Sequence, residues 1–255
     1  MDIDLNADLA EGFGPWRMGD DEAILDLLSS ANIACGFHAG DPAIMRRTVE
    51  IAKARGVDIG AHVGFPDIQG FGRRVMKIEA GELAAIVIYQ LGALDGIARS
   101  VGARMTHMSF HGALGNMVAA DADLARTLIG AVADFNCELT ILSSTSRAIE
   151  TAAAEFGLKL ATTFLADRAY DDEGLLVPRR LPRSVIHDSA EVLERVRRLL
   201  STGEVISYGG GVLKIRPHSI LLHSDTDGAV GLARVIRREI EANGGRITPV
   251  SRLRA

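Results

Sequence analysis

The sequence predicts an α/β protein in which a parallel sheet is covered by helices. Three observations carry that expectation. Short apolar runs alternate with helix-period segments along the whole chain, the helical segments begin and end at capping residues, and about seven strand–helix units fit within 255 residues. Such a sheet is either a closed barrel or an open doubly wound sheet.

The elements follow in order. Residues 3–5 read as a first short strand. A helix is expected over 21–29, with Asp20 as N-cap and Ile24, Leu25, Leu27 and Leu28 as its apolar side. Residues 32–35 form a second strand. Asp41-Pro42 then has the chemistry of an N-cap and first helical position, and the helix runs to Arg55, where Gly56 stops it. Residues 57–61 are a third strand, followed by a long loop and a helix over about 79–101. Strands at 104–110, 138–142 and 160–165 alternate with helices at 121–134 and 146–156. A helix at 189–200, a late strand at 220–223 and a helix at about 228–242 complete the pattern. Residues 169–188, with Tyr170, Gly174, Pro178 and Pro182, read as an inserted loop or hairpin, and Gly209-Gly210-Gly211 as a turn. No linker or low-complexity segment divides the chain, so residues 1–255 are expected to form one domain.

Composition excludes several classes. With 47% hydrophobic and 24% charged residues, the chain is neither disordered, collagenous nor a disulfide miniprotein. The net charge is −5 with no basic block, which argues against nucleic acid as a partner. Cys35 and Cys137 sit far apart, in stretches that read as apolar strands, where a buried free thiol is the usual occupant. The start Met1-Asp2-Ile3-Asp4 lacks the basic and apolar regions of a signal peptide, and the run 83–94, broken by Tyr89 and Gln90, is too short to span a bilayer. A cytoplasmic protein without membrane contact is expected.

Four histidines directly follow apolar runs: His38, His62, His111 and His223. In a parallel α/β sheet the strand C-termini converge on one face, where ligand sites form, so these imidazoles are expected to meet. Asn6, Asp8 and Glu11 are read as following the first strand, Asp167 and Arg168 the sixth, and Asp225 the last. Asp41 reads either as an N-cap or as a site residue. Arg73-Arg74 reads either as a bidentate grip on a substrate carboxylate or as a solvated loop. Cys35 is better read as a buried thiol than as a nucleophile. His107, His187 and His218 read as structural or surface residues. There is no Gly-x-x-x-x-Gly-Lys-Ser/Thr, Gly-x-Ser-x-Gly, Cys-x-x-Cys or His-Glu-x-x-His pattern. The inventory favours water activation by a carboxylate or imidazole over a covalent route.

At these residues the sequence resembles the LamB/YcsF family, the A subunits of prokaryotic 5-oxoprolinase. The resemblance is carried by Asp4-Leu5-Asn6, Asp8 and Glu11-Gly12-Phe13-Gly14, by the run from Ser30 to Pro42, and by Gly60-Ala61-His62. It continues in Gly70 to Arg74, Tyr89-Gln90, His111-Gly112-Ala113-Leu114, Ala166 to Tyr170, and His223 with Asp225-Thr226. The chain departs from the family pattern at Ser109-Phe110, where the family usually has Lys-Pro, and near Thr163, where it usually has a glutamate. It departs also at Val63, Ser224 and Gly115. Losing a lysine and a glutamate together leaves no buried charge unpaired.

The resemblance implies a distorted seven-stranded β/α barrel of the TIM-like kind, similar to sugar-deacetylase and glycosidase barrels. It implies ATP-driven cleavage of 5-oxoproline, a small cyclic amide, to glutamate together with B and C subunits. ATP use is expected to depend on those partners, and homo-oligomerisation is left open. On this reading Asp8 and His111 flank the attacking water, and Asp225 orients His223 or serves as a second catalytic carboxylate. Asn6, Glu11, Asn32, Arg73, Asp167, Arg168 and His223 bind substrate. His38 and His62 line the pocket or hold a divalent metal. Two alternatives stand beside it: a stand-alone metal-dependent deacetylase or amidase, and a non-catalytic small-molecule-binding paralogue.

Overall fold

The structure, a computed structural model, describes residues 1–224 and 228–253. Asp225 therefore lies outside the described residues. In chain order the elements are β1 Asp2–Leu9, α1 Asp21–Leu25, β2 Ser30–Ala34, α2 Pro42–Arg55, β3 Asp58–Val63, α3 Ala80–Ser100, β4 Met105–Phe110, α4 Gly112–Ala120 and α5 Ala122–Phe135. There follow β5 Thr140–Ser143, α6 Arg147–Glu155, β6 Lys159–Leu165, α7 Ser189–Thr202, β7 Glu204–Ile206, β8 Val212–Lys214, β9 Ser219–His223, α8 Ala229–Ala242 and β10 Arg246–Ile247.

Seven of these strands close into a barrel in the order β1-β2-β3-β4-β5-β6-β9, with β9 pairing back onto β1. All seven ladders are parallel, and Asp8 of β1 stands in register with Asn32 of β2 on one side and His223 of β9 on the other. This is the distorted seven-stranded barrel that the resemblance implied, and it decides between the closed and open sheets. β10 extends the base of β1, where Arg246 grips Asp2 with two hydrogen bonds of 2.9 and 2.8 Å.

Local signals explain the helices. Asp41 caps α2, its side chain accepting from the N–H groups of Ala43 and Ile44, Pro42 occupies the first turn, and Gly56 ends the helix at φ 69°. The same Asp41 carboxylate accepts from Gly14, so the cap also fixes the β1–α1 loop. Among the described residues α3 is the one helix long and apolar enough to cross a membrane. It packs on α2 and α5, with Leu83, Val87, Leu91, Leu94 and Ala98 buried, which makes it a barrel-covering helix here.

Several elements differ from the sequence expectation. β1 continues to Leu9, so Asn6 and Asp8 belong to the strand and do not follow it. Its alternate residues Asp4, Asn6 and Asp8 are polar but buried, which in sequence looks like a loop. α1 ends at Leu25 and does not continue to residue 29, because Ser30 already pairs into the barrel. α4 and the β7–β8 hairpin, which turns through Gly209-Gly210-Gly211, are elements that the sequence pattern does not separate. Cys137 is exposed in the turn before β5, whereas Cys35 is buried, donates to the Ile33 carbonyl at 3.2 Å, and has its thiol pushed up to about 12 by burial.

At the barrel base, Asp4 is fully buried and accepts from the hydroxyls of Ser29 and Ser219, both at 2.6 Å. Burial raises its pKa from the usual 3.8 to about 6, outweighing the serine hydrogen bonds. Between those two values the folded chain holds a proton that the unfolded chain has lost, so this group's stability contribution, complete below about pH 4, falls as pH rises through 6. Asp4→Asn should therefore gain on wild type by about 3 kcal/mol between pH 4 and pH 7. Urea unfolding of both proteins at the two pH values checks this, and a pH-independent difference would refute it.

Candidate active site

β1 to β4 end side by side, and each delivers ionisable groups to the C-terminal mouth of the barrel. Asp8 comes from the end of β1 and Glu11 from just beyond it, His38 from the loop after β2, His62 from β3, and His111 from the residue after β4. His223 closes the ring from β9, with Asp167 beside it from the turn after β6. Every one of these side chains is buried.

The contacts form two linked groups. In the first, Asp8 accepts from the Asn32 amide at 2.9 Å and lies 3.4 Å from His62 Nε2 and 3.8 Å from His223 Nε2. His223 Nδ1 faces the Asp167 carboxylate at 2.7 Å, which leaves Nε2 directed at Asp8 and, at 3.5 Å, at Arg179. In the second, Glu11 Oε1 lies 3.3 Å from His38 Nε2 and 3.5 Å from His111 Nδ1. His111 Nδ1 is 2.9 Å from His62 Nε2, so His62 joins the two groups.

Burial and charge divide the protonation states. Burial would raise the Asp8 carboxyl, but His62, His223 and Asn32 outweigh it and hold Asp8 ionised well below the usual carboxylate range. Burial would lower His62 and His223, but Asp8 and Glu11 raise the first and Asp167 raises the second. His38 and His111 are pushed far down, chiefly by burial and then by neighbouring positive groups, and are neutral at pH 7. An ionised carboxylate stands between two imidazoles inclined to carry a proton, an arrangement suited to general acid–base work on a bound polar substrate.

Beneath this layer, Asn6 donates to Asn32 at 3.4 Å, and Asn32 Oδ1 lies 3.2 Å from His107 Nε2. His107 is a core residue whose ring fills the space over Gly60, at a register shift where β3 pairs β4. Burial lowers it to about 4, so it is neutral.

The remaining sequence-derived residues take other places. Arg168 is buried and donates to the carbonyls of Ser184 and Val177, tying the inserted segment to the barrel mouth. Arg73 lies half-buried over the Phe71 ring at 4.7 Å, whereas Arg74 pairs with Asp67. Sequence reasoning missed Arg179 and the Phe71 carbonyl, which His111 Nε2 meets at 2.8 Å. It also gave Ser109, 2.7 Å from His62 Nδ1, no role at the site. Ser109 and Phe71 lie within two residues of positions with a sequence signal; nothing in the sequence joins Arg179 to His223.

A closed parallel barrel with buried carboxylates and imidazoles at its C-terminal mouth defines the class as a β/α-barrel enzyme. Within that class, the chain belongs to the LamB/YcsF family, whose sequence pattern matches residues 3–255. It is 64% identical to the second of the proteins named as 5-oxoprolinase A subunits in Ralstonia nicotianae, over 98% of this chain and 96% of that protein. It is 62% identical to the first of those so named in Pseudomonas syringae pv. tomato, over 99% of both. The crystal structure of a lactam utilization protein from Thermus thermophilus superposes with a TM-score of 0.90 at 38% identity, covering 97% of this chain and 99% of that one. A family 113 β-1,4-mannanase shares the fold alone, with a TM-score of 0.54 at 12% identity, over 95% of this chain and 100% of its own.

A Cβ added at Gly60 would lie 2.1 Å from the His107 ring. Gly60→Ala should destabilise the chain by about 1–3 kcal/mol through overpacking. The double variant Gly60→Ala/His107→Ala should lose less than the sum of the two single changes, because the clash is shared. Denaturant unfolding of the three variants reads this, and strict additivity would show that the ring does not need the glycine.

Proposed function

We propose that this chain is the A subunit of an ATP-dependent 5-oxoprolinase that opens the lactam of 5-oxoproline to give L-glutamate, working in the cytoplasm with B and C subunits. The observation that carries the reading is the near-full-length similarity to two proteins named as 5-oxoprolinase A subunits, at 64% and 62% identity. The site geometry supports it, because hydrolysis of a cyclic amide needs a base for water and donors for the carbonyl oxygen.

The chemistry accounts for the ATP. An unstrained five-membered lactam is a stable amide; transfer of a phosphoryl group from ATP to its oxygen, releasing ADP, activates the ring carbon. Attack of one water with departure of the ring nitrogen then leaves the acyl phosphate of glutamate, which a second water hydrolyses to glutamate and phosphate. The sequence has no Gly-x-x-x-x-Gly-Lys-Ser/Thr loop, so ATP is handled with the partner subunits or at a site shared with them. In this chain Asp8 takes the proton of the attacking water. His223, held through Nδ1 by Asp167, presents Nε2 to the same point and donates a proton to the departing nitrogen. Asn6 and Asn32 set the orientation of Asp8, and Arg73 and Arg179 supply positive charge for the substrate carboxylate. Arg168 keeps the Val177–Ser184 wall of the pocket in place.

Mixing the chain with B and C subunits, 5-oxoproline and ATP should yield glutamate. Absence of glutamate where the corresponding chain of a relative supports turnover with the same partners would overturn the assignment. Asp8→Asn should reduce turnover by about 100-fold or more with unfolding behaviour close to wild type. Unchanged turnover in that variant would remove Asp8 as the base.

A further inference from the structure

We infer that Glu11, His38, His62 and His111 form a binding site for one divalent transition-metal ion of the zinc class. One donor atom from each of the four side chains lies within 4.8 Å of all the others, and all four are buried.

The spacing is that of a coordination shell. Zinc–nitrogen and zinc–oxygen bonds of about 2.0–2.1 Å in a tetrahedron place neighbouring ligand atoms about 3.4 Å apart. The edges here are 3.3 Å from Glu11 Oε1 to His38 Nε2, 3.5 Å from Glu11 Oε1 to His111 Nδ1, and 2.9 Å from His111 Nδ1 to His62 Nε2. Small rotations of the side chains bring such a set around a single ion.

Hydrogen bonds behind two of the three rings point their lone pairs inward. His111 meets the Phe71 carbonyl through Nε2 at 2.8 Å. A carbonyl only accepts, so Nε2 carries the hydrogen and Nδ1, facing the cluster, is bare. His62 Nδ1 meets the Ser109 hydroxyl at 2.7 Å, and that oxygen can accept, which frees Nε2 as a ligand. Metal-bound histidines are held this way, with the far ring nitrogen donating to an oxygen that fixes tautomer and angle.

The cluster is also tightly packed. The His38 and His111 rings stack 3.8 Å apart and 6° from parallel, and the His38 Nδ1 atom is buried without a hydrogen-bond partner. A Cβ at Gly64 would lie 2.7 Å from His38 Nδ1, and one at Gly72 would lie 2.7 Å from His38 Cβ and 2.9 Å from His111 Cδ2. The backbone thus comes against two imidazoles where only glycine fits. Three imidazoles and one carboxylate suit zinc, cobalt, nickel or ferrous ions better than magnesium or calcium. Such an ion would supply Lewis-acid charge next to Asp8, whose Oδ1 is engaged by Asn32 and which stands outside the ligand set.

The inference does not depend on the lactam reading, and its test reads binding directly. The untagged full-length chain, stripped with chelator and dialysed, is titrated with Co²⁺ followed by visible absorption, and with Zn²⁺ by calorimetry. One equivalent of each ion should bind, and the Co²⁺ spectrum should show the intense bands of a four- or five-coordinate centre with nitrogen ligands. His38→Ala and His111→Ala should each weaken Zn²⁺ binding by about 100-fold or more, Ser109→Ala by about 10-fold, and His218→Ala not at all. No saturable Zn²⁺ or Co²⁺ binding by the wild-type chain would overturn the site, as would equal affinity in the His38→Ala, His111→Ala and wild-type proteins. The wild-type Co²⁺ spectrum decides the matter even if a variant fails to fold, since an octahedral oxygen-ligand spectrum also refutes it.

Discussion

Everything at the mouth of this barrel depends on β1 sitting between β2 and β9 with its polar side chains turned into the lumen. Ile3, Leu5, Ala7 and Leu9 take the outer face, and the alternating residues Asp4, Asn6 and Asp8 form a polar column inside. Barrel interiors are usually filled with branched apolar side chains. Here each level of the column is paired with side chains of neighbouring segments: Asp4 to Ser29 and Ser219, Asn6 to Asn32 and through it to His107, and Asp8 to His62 and His223. A buried polar column is stable only when its groups are paired. Asn6 Oδ1 and Thr163 Oγ1 are exceptions without a protein partner, and Thr163 stands level with Ser219 and Asp4.

Two carboxylates on the same face of β1 show how the column separates structure from chemistry. Asp4 and Asp8 are both buried, yet Asp4 is raised to about 6 and Asp8 is held low. Burial acts on both in the same direction. The difference lies in the partners: Asp4 meets serine hydroxyls and the repulsion of Asp58, whereas Asp8 meets two imidazoles and an amide. The Asp4 carboxyl at the base, accepting from Ser29 and Ser219, ties β1 to the segments on either side of it, and the ionised Asp8 four residues further along faces the imidazoles at the mouth. The contacts that hold Asp8 low are among those that raise His62 and His223.

The gathering of the site was legible because a parallel sheet makes strand ends converge, and His38, His62, His111 and His223 each follow an apolar run that can be recognised. The lumen was not legible. Alternation of apolar and polar residues in β1 has the same appearance whether the polar face meets solvent or the inside of a barrel, so Asn6 and Asp8 are read as following a strand that in fact contains them. The same ambiguity hides Arg168, whose type suggests ligand binding but whose guanidinium donates to backbone carbonyls of the inserted segment. Arg179 reaches His223 from 44 residues away through a segment with no regular structure, and no periodicity reports such a contact. Asp41 can be read two ways in sequence, and the N-cap geometry resolves it.

The placement of the donor groups is enforced by the backbone as much as by side-chain contacts. Three non-glycine residues among those described have left-handed φ, and two flank the histidine cluster: Ala10 at 60° and Phe71 at 53°. A side chain in that region costs about 1–2 kcal/mol, so it persists only where the surroundings require it. Ala10 immediately precedes Glu11, and its N–H is held by the Asp21 carboxylate at 2.9 Å. Phe71 presents the carbonyl that meets His111, with its ring set edge-on to both His38 and His111. The two strained residues therefore fix a carboxylate on one side of the imidazoles and a hydrogen-bond acceptor on the other. Relaxing either backbone would release the group it positions, which is why the strain is concentrated at the mouth and not in the strands that carry it.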